Sequence, residues 1–592
     1  MHRVSTAVVA AVFAALCAIA LAAQPQGPGG FEQGFPALPG GFLQGPGGRF
    51  GGPPRDNAEQ PAGTASIRGR ILTSDTGAPL RRAQVRAVAS ELRAARLATT
   101  DAQGRFELKD LPAGRWTLTA SKAGFVSLQY GQSRPFESGR PIELSEGQAL
   151  ERADVALPRG SAITGHVLDE FGDPVAAARV QVLRFQMVQG TRRAMPNGAG
   201  DQSDDTGAFR LYGLSPGEYV VSATLRAGPG ADNTDGIGYA PTYYPGTGNV
   251  AEAQRITLAV GQEQSSVNFA LLPVRTVKVS GLVLGSGGLP LANAMVTLSS
   301  GADASAFNLF ANAGRTRPDG SFSVPNVSPG SYTLTAVSGF GGPGRGGGFG
   351  GGGGGADFEI ASTPIVVSSE DLTGITVLTT KGGTVTGRIA AAEGSSGELR
   401  TDNIQIAAQG LRFEAGPAAG ARPSRVETEG TFRLTGLMGP RLLRVNGLPQ
   451  AWTLKAVMLN GTDITDTPID FKGSEDISGA QILVTDHVSE VNGKVTLKDQ
   501  PTRDYTVVIF PDDPARWAYP SRYVRSGRAD QQGQFRIRAL PQDAHYLAVA
   551  VDYVEDGEAS DPQFLEQMKS RATKFSLTDG ESKALDLKLV QR

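Results

Sequence analysis

Along this chain, apolar and polar positions keep returning to one rhythm. Short runs alternate the two kinds of side chain, and each run carries a glycine near its middle. They are ASIRGRIL from Ala65, SAITGHVL from Ser161, VKVSGLVL from Val277, GTVTGRIA from Gly383 and SEVNGKVT from Ser489. In the first, Ile67 and Ile71 share one side and Arg68 and Arg70 the other, the period-two pattern of a strand with one buried face. A turn with Gly or Pro follows, then a second strand, as in GAPLRRAQVRAV from Gly77 and GDPVAAARVQVL from Gly172. Next comes a motif that recurs five times: DAQGRFELKDLPAG from Asp101, DDTGAFRLYGLSPG from Asp204, PDGSFSVPNVSPG from Pro318, TEGTFRLTGLMG from Thr428 and DQQGQFRIRALP from Asp530. An aspartate accepts backbone N–H groups and starts a reversal, and a glycine supplies the positive φ that completes it. The predicted turn residues are Asp101 and Gly104, Asp205 and Gly207, Asp319 and Gly320, and Asp530 and Gly533. Each unit closes on one more strand, ERADVALP in the first and KALDLKLVQ in the last. One helix is predicted: DPQFLEQMKSRATKF puts Phe564, Leu565 and Met568 on a single helical face behind Asp561 as cap and Pro562 in the first turn.

The motifs recur at about one domain length. Solenoid units of ~20–50 residues cannot stand alone, whereas units this long can each bury a core. The expected fold is all-β: a tandem array of five antiparallel Greek-key β-sandwiches, beads on a string, spanning 63–158, 159–273, 274–380, 381–487 and 488–592. Residues 24–62 are rich in Gly, Pro and Gln and read as a disordered linker, and 341–355 as a flexible glycine tract inside the third unit.

Composition changes this picture in three ways. The 592 residues are too many for one core. Lys and Arg number 56 against 58 Asp and Glu, a net charge of −2, so no basic field draws nucleic acid. The start of the chain, with Arg3 before the apolar run Ala7–Ala22 and the small-x-small Ala20-Leu21-Ala22, reads as a signal peptide over 1–23. The one cysteine, Cys17, sits inside it after Leu16, which is unlike a lipidation site. The mature chain then has no thiol, no disulfide and no later membrane span.

The full repeat pattern, I-x-G-x-V, then G-x-P-[LV]-x-x-A-x-V, then an acidic turn with G-x-F and L-x-P-G-x-Y, resembles the carboxypeptidase regulatory-like domain, a transthyretin-like (prealbumin-type, CnaB-like) β-sandwich. The second and third repeats match best, at Gly165, Pro174, Ala178, Asp205, Gly207, Phe209, Pro216, Gly217 and Tyr219, and at Gly281, Pro290, Ala294, Asp319, Gly320, Phe322, Pro329, Gly330 and Tyr332. The first has Trp116 in the Tyr place, the fourth lacks the Asp and the Pro-Gly, and the fifth has Asp543 where Gly is expected. The chain is similar to secreted multi-repeat proteins of soil bacteria such as acidobacteria. The resemblance implies a fold and no chemistry, since the domain accompanies peptidases, receptors and carbohydrate-active enzymes.

Catalytic signals are sparse. A zinc peptidase needs three protein ligands, and the four histidines, His2, His166, His487 and His545, fall in the leader and in three separate units. No metal, cofactor or enzymatic activity is expected. Lys278 and Lys494 stand where related adhesin modules carry an isopeptide lysine, and acidic turns could hold calcium. Aromatic loops suggest contact with a ligand: Tyr239, Tyr243 and Tyr244 in YAPTYYPG, Tyr130 with Phe136 in LQYGQSRPF, and Trp517 and Tyr519 with Tyr523 in PARWAYPSRY. The functional expectation is an exported, non-enzymatic binding or structural protein of the periplasm, cell surface or extracellular space, its partner a polysaccharide or an envelope protein. The alternatives are a carbohydrate-binding accessory protein of a polysaccharide-degrading or uptake system, and a regulatory array associated with a metallopeptidase.

Overall fold

A computed structural model describes residues 62–89, 94–198, 200–225, 237–300, 313–338, 358–411 and 423–592. The apolar leader with Cys17, the Gly/Pro-rich stretch 24–61 and the glycine tract 341–355 lie outside the described residues.

In the first repeat the glycine-bearing strand Ala65–Thr73 runs antiparallel to Arg105–Leu111, which carries the turn motif. The facing sheet sets Gln84–Ala89 between Ala94–Thr99 and Gly114–Ser121. The period-two faces meet as predicted: Ile67, Ile71, Val85, Phe106, Leu108 and Trp116 are buried in one cluster. The same plan recurs along the chain. Separate buried clusters draw on Ile163 to Leu271, Val277 to Val377, Val385 to Val484 and Val491 to Leu587. Helix Pro562–Lys569 is capped by the Asp561 side chain, which accepts from Gln563 N. Its Phe564, Leu565 and Met568 pack on Val508, Phe510 and Leu547, the outer face of a fifth-repeat sheet.

One departure from antiparallel pairing recurs in all five repeats, and it explains the strand glycine. In every repeat the first strand pairs in parallel with the closing strand. Beside the glycine the closing strand bulges inward. A Cβ on Gly69, Gly165, Gly281, Gly387 or Gly493 would stand 2.4, 2.0, 2.1, 2.0 or 2.1 Å from a backbone oxygen of that strand, where only hydrogen fits. In three repeats the residue after the bulge clamps the first strand through its side chain. Arg70 N donates to Asp154 Oδ1 at 2.8 Å, His166 N to Asn268 Oδ1 at 2.9 Å and Lys494 N to Asp586 Oδ1 at 3.1 Å.

The recurring turn has one backbone form in all five repeats. The glycine N–H donates three residues back, to Asp101, Asp204, Arg317, Glu427 and Asp530 O, at 2.9–3.1 Å, with φ between 71 and 81° at Gly104, Gly207, Gly320, Gly430 and Gly533. Asp101 Oδ1 accepts from Gln103 N and Arg105 N, and Asp530 Oδ1 from Gln532 N and Gln534 N. In the second repeat the acceptor is Asp204, one residue before the expected Asp205: it takes Thr206 N and Ala208 N at 2.9 Å. In the third, Asp319 accepts from Ser321 N instead, inside a backbone turn that begins at Arg317. The turn is thus a backbone property to which a carboxylate adds where it reaches. We expect Asp204→Ala to lower the urea midpoint of the protein while Asp205→Ala leaves it unchanged. The reverse order would return the turn to Asp205.

The Pro-Gly-x-Tyr motif has its own reason. The aromatic residue is buried in repeats two and five and partly buried in repeat three, and its polar tip bonds back to the chain before the strand: Tyr219 Oη to Ser215 O at 2.7 Å, Tyr332 Oη to Ser328 O at 2.9 Å, Tyr546 Oη to Pro541 O at 2.5 Å. Trp116 Nε1 makes the same bond to Pro112 O at 3.2 Å, so tryptophan replaces tyrosine without loss.

Candidate functional site

The aromatic loops do not converge on one platform. Tyr243 and Trp517 are 2 and 4% exposed, so neither presents a ring face to a ligand. Tyr243 packs on Leu183 and Val220, and Trp517 Nε1 donates to Pro511 O at 2.7 Å. Tyr244 sits edge-on against Phe269, with ring centres 6.0 Å apart. The Tyr239 hydroxyl donates to Glu170 at 2.6 Å, a bond that helps push its pKa up to about 12. Tyr130 is half-buried against the first core. Tyr519, also half-buried, accepts from Gln409 Nε2 of repeat four at 2.8 Å, and its Cβ lies against Gly190 of repeat two.

Tyr519 is one of many contacts between repeats, and these correct the image of beads on a string. The loop from Gln129 to Arg140 of repeat one, expected to face a ligand, is a seat for repeat five. At its centre Glu137 accepts from Ser133 N at 2.7 Å and Arg134 N at 3.0 Å. Arg528 of repeat five meets the same carboxylate at 2.7 Å, with side chains 3% and 1% exposed. Arg528 also donates to Ser138 O at 2.8 Å and to Asp504 at 2.6 Å. Around this buried pair, Tyr553 Oη donates to Pro135 O at 2.7 Å, Arg134 stands over the Tyr553 ring at 5.4 Å, and Gln531 exchanges two hydrogen bonds with the Glu143 backbone. An acidic stretch of repeat four, LNGTDITDTPIDFKGSED from Leu459, is used in the same way: Asp466 takes Arg444 of its own repeat, and Arg522 and Tyr523 of repeat five. Its Glu475 instead accepts from the backbone of Lys472, Gly473 and Ser474.

Residues 66–158 match the family model of the carboxypeptidase regulatory-like domain. The first repeat is thus similar to that domain. No curated protein matches the chain. Among solved structures it is similar to a streptococcal ancillary pilin (11% identity, 53% of this chain and 98% of that one, TM-score 0.17), to a minor pilin of Streptococcus agalactiae (12%, 36% and 97%, 0.21) and to the shaft pilin of Lactobacillus rhamnosus GG (12%, 38% and 98%, 0.14). At these values the likeness adds nothing to the fold already described.

The first repeat also reaches repeat two. Phe136, at φ 62°, lies edge-on to Tyr219 with centres 6.4 Å apart and under the Arg184 guanidinium at 3.6 Å. A Cβ on Gly217 would come within 2.8 Å of its ring. Arg184 in turn pairs with Glu555 of repeat five. Beside it Asp556 N donates to Phe136 O at 2.9 Å, and the Asp556 carboxylate accepts from Ser138 Oγ. Burial pushes the Asp556 carboxyl above its ordinary range. A raised acid favours the protonated, docked form, so its contribution is present below about pH 4, the unfolded value, and is lost as pH rises through the higher folded value. We expect Asp556→Asn to flatten that fall when urea midpoints are measured from pH 4 upward. An unchanged slope would remove Asp556 from the interface.

The remaining candidates are dispersed. Among the described residues no group of three or more His, Cys, Asp and Glu is placed to hold a metal ion, and no helix is long and apolar enough to cross a membrane. His166 Nδ1 lies 3.3 Å from Asn268 Oδ1, His487 Nδ1 2.9 Å from Asp579 and His545 Nδ1 2.9 Å from Ser576 Oγ. Lys278 and Lys494 are exposed, without the buried setting an isopeptide bond needs. Missed in the sequence were Glu137, Arg528 and Asp556, ordinary charged residues in polar loops. Also missed was a buried hydroxyl before the turn: Thr100, Ser203 and Thr316 bond Leu80, Val175 and Leu291 O. A Ser or Thr directly before the first residue of the turn in three repeats was its signal.

Proposed function

We propose that this is an exported, non-enzymatic protein whose work is structural, built from five β-sandwich modules bounded at about 158, 273, 380 and 487 and acting in the cell envelope or outside the cell. The single observation behind this reading is the buried Glu137–Arg528 contact. It spends the most deeply buried ion pair among the described residues on joining the first domain to the fifth repeat, not on a reacting group. Export rests on the apolar leader and on a chain with no cysteine beyond Cys17. Module bounds rest on the five separate cores. The metallopeptidase-associated reading has only the family match over 66–158 in its favour.

The test is fractionation of a diderm host expressing the full chain, with N-terminal sequencing of the recovered protein. The mature protein is expected outside the cytoplasm, beginning just after Ala22 or Ala23. A cytoplasmic chain with its leader intact would overturn export. Peptide or glycoside hydrolysis by the purified protein, abolished by a chelator, would overturn the non-enzymatic assignment.

A further inference from the structure

Repeat two contains a split sheet. Strand Arg179–Val188 pairs with Gly217–Thr224 only as far as Leu183 opposite Val220. Beyond that point it follows its hairpin partner Thr191–Pro196, while Gly217–Tyr219 pair on their far side with Ile256–Leu258. The strands part, and a cleft of about 310 Å³ opens between them, at the small end of the ~300–1,000 Å³ range of ligand pockets. Phe136 of the first domain forms its floor, and Tyr553 with Glu555 of repeat five one wall.

The chemistry of the mouth is cationic. Arg192 and Arg255 both line the cleft and both stand over the Phe185 ring, at 5.8 and 5.5 Å. Arg184, deeper in, is neutralised by Glu555. Arg255 meets Glu218 at 3.1 Å in a pair more than half exposed on both sides, which binds weakly and is readily exchanged. Among the described residues no carboxylate lies within ion-pair distance of Arg192. A guanidinium fork matches a carboxylate with two parallel hydrogen bonds. The parted strand edges add backbone donors and acceptors at fixed spacing, which suit ring hydroxyls.

We propose that this three-repeat cleft binds a carboxylate-bearing sugar, the acid held by Arg192 and Arg255 and the hydroxyls by the open strand edges. This goes beyond the structural role proposed above and does not depend on export. It also makes the site conditional on docking, because the floor and one wall come from other repeats.

The test is calorimetric titration of the full-length mature protein with trigalacturonate, its fully methyl-esterified form and triglutamate. Trigalacturonate is expected to bind, the ester about tenfold more weakly or not at all through loss of a charge-assisted hydrogen bond, and the peptide, which keeps its carboxylates but lacks the ring hydroxyls, about tenfold more weakly as well. Arg192→Gln and Arg255→Gln should each weaken trigalacturonate by about tenfold or more, while Arg210→Gln, on the other sheet of repeat two, should not. Equal binding of the ester would remove the carboxylate from recognition. Equal binding of triglutamate would remove the sugar. No binding by the unaltered protein, or unchanged binding by both arginine variants with intact melting curves, would overturn the site. None of these outcomes alters the fractionation result.

Discussion

Arg528→Met is expected to loosen repeat five from the first domain and to cost ~3–5 kcal/mol, the range for removing one partner of a buried ion pair. The reason is the state left behind. Glu137 keeps the Ser133 and Arg134 amides but loses the Arg528 guanidinium while remaining sealed from water. Two readouts separate this from a general loss of fold. The first thermal transition should move down, and hydrogen exchange should rise at Ser133 and Arg134 and in Tyr553–Asp556 while the five cores stay protected. Adding Glu137→Gln to Arg528→Met should recover much of the loss, because the uncompensated charge is then gone. A single variant that melts and exchanges like the parent would show that repeat five does not seat through this pair in solution.

Gly165→Ala is expected to be the most damaging single methyl in repeat two. The new Cβ would lie 2.0 Å from Val267 O and 2.5 Å from Val267 C, backbone atoms that cannot move without tearing the parallel pairing of the first and closing strands. Overpacking of this kind costs ~1–3 kcal/mol when side chains can adjust, and here backbone must shift, so a loss at or above ~3 kcal/mol is expected. Gly172→Ala is the matched control. Gly172 has φ +88° and open space around it, so its variant meets only the conformational cost of ~1–2 kcal/mol. Urea unfolding of both variants checks the difference. Equal losses would mean that backbone conformation, not close approach, selects glycine at the strand position.

The two sites mark where the sequence was legible. The strand glycine, the turn glycine and the Pro-Gly-aromatic motif recur with the fold, and each answers to contacts a few residues or one strand away. Repetition therefore exposed them. The displacement from Asp205 to Asp204 is a small error of the same local kind: in DDTGAF both aspartates are near the glycine, and only the hydrogen bonds tell which carboxylate reaches Thr206 N and Ala208 N. The aromatic loops were misread for a different reason. YGQSRPFESGR and PARWAYPSRY look like exposed recognition loops because their partners lie in other repeats, as Arg528 does for Glu137, Asp552 for Arg134 and Asp466 for Tyr523.

What the sequence alone determined is everything governed by periodicity and local backbone geometry: the all-β class, the recurrence of one sandwich plan and the short capped helix at Pro562–Lys569. What only the tertiary structure decided is the docking of repeat five on repeats one, two and four, and with it the cleft lined by Phe136, Arg192 and Tyr553. The division has a physical cause. A strand or a turn is written by neighbours a fixed distance apart, so its pattern repeats. An ion pair between repeats needs only two ordinary charged residues brought together once, and a single pairing leaves no periodic trace.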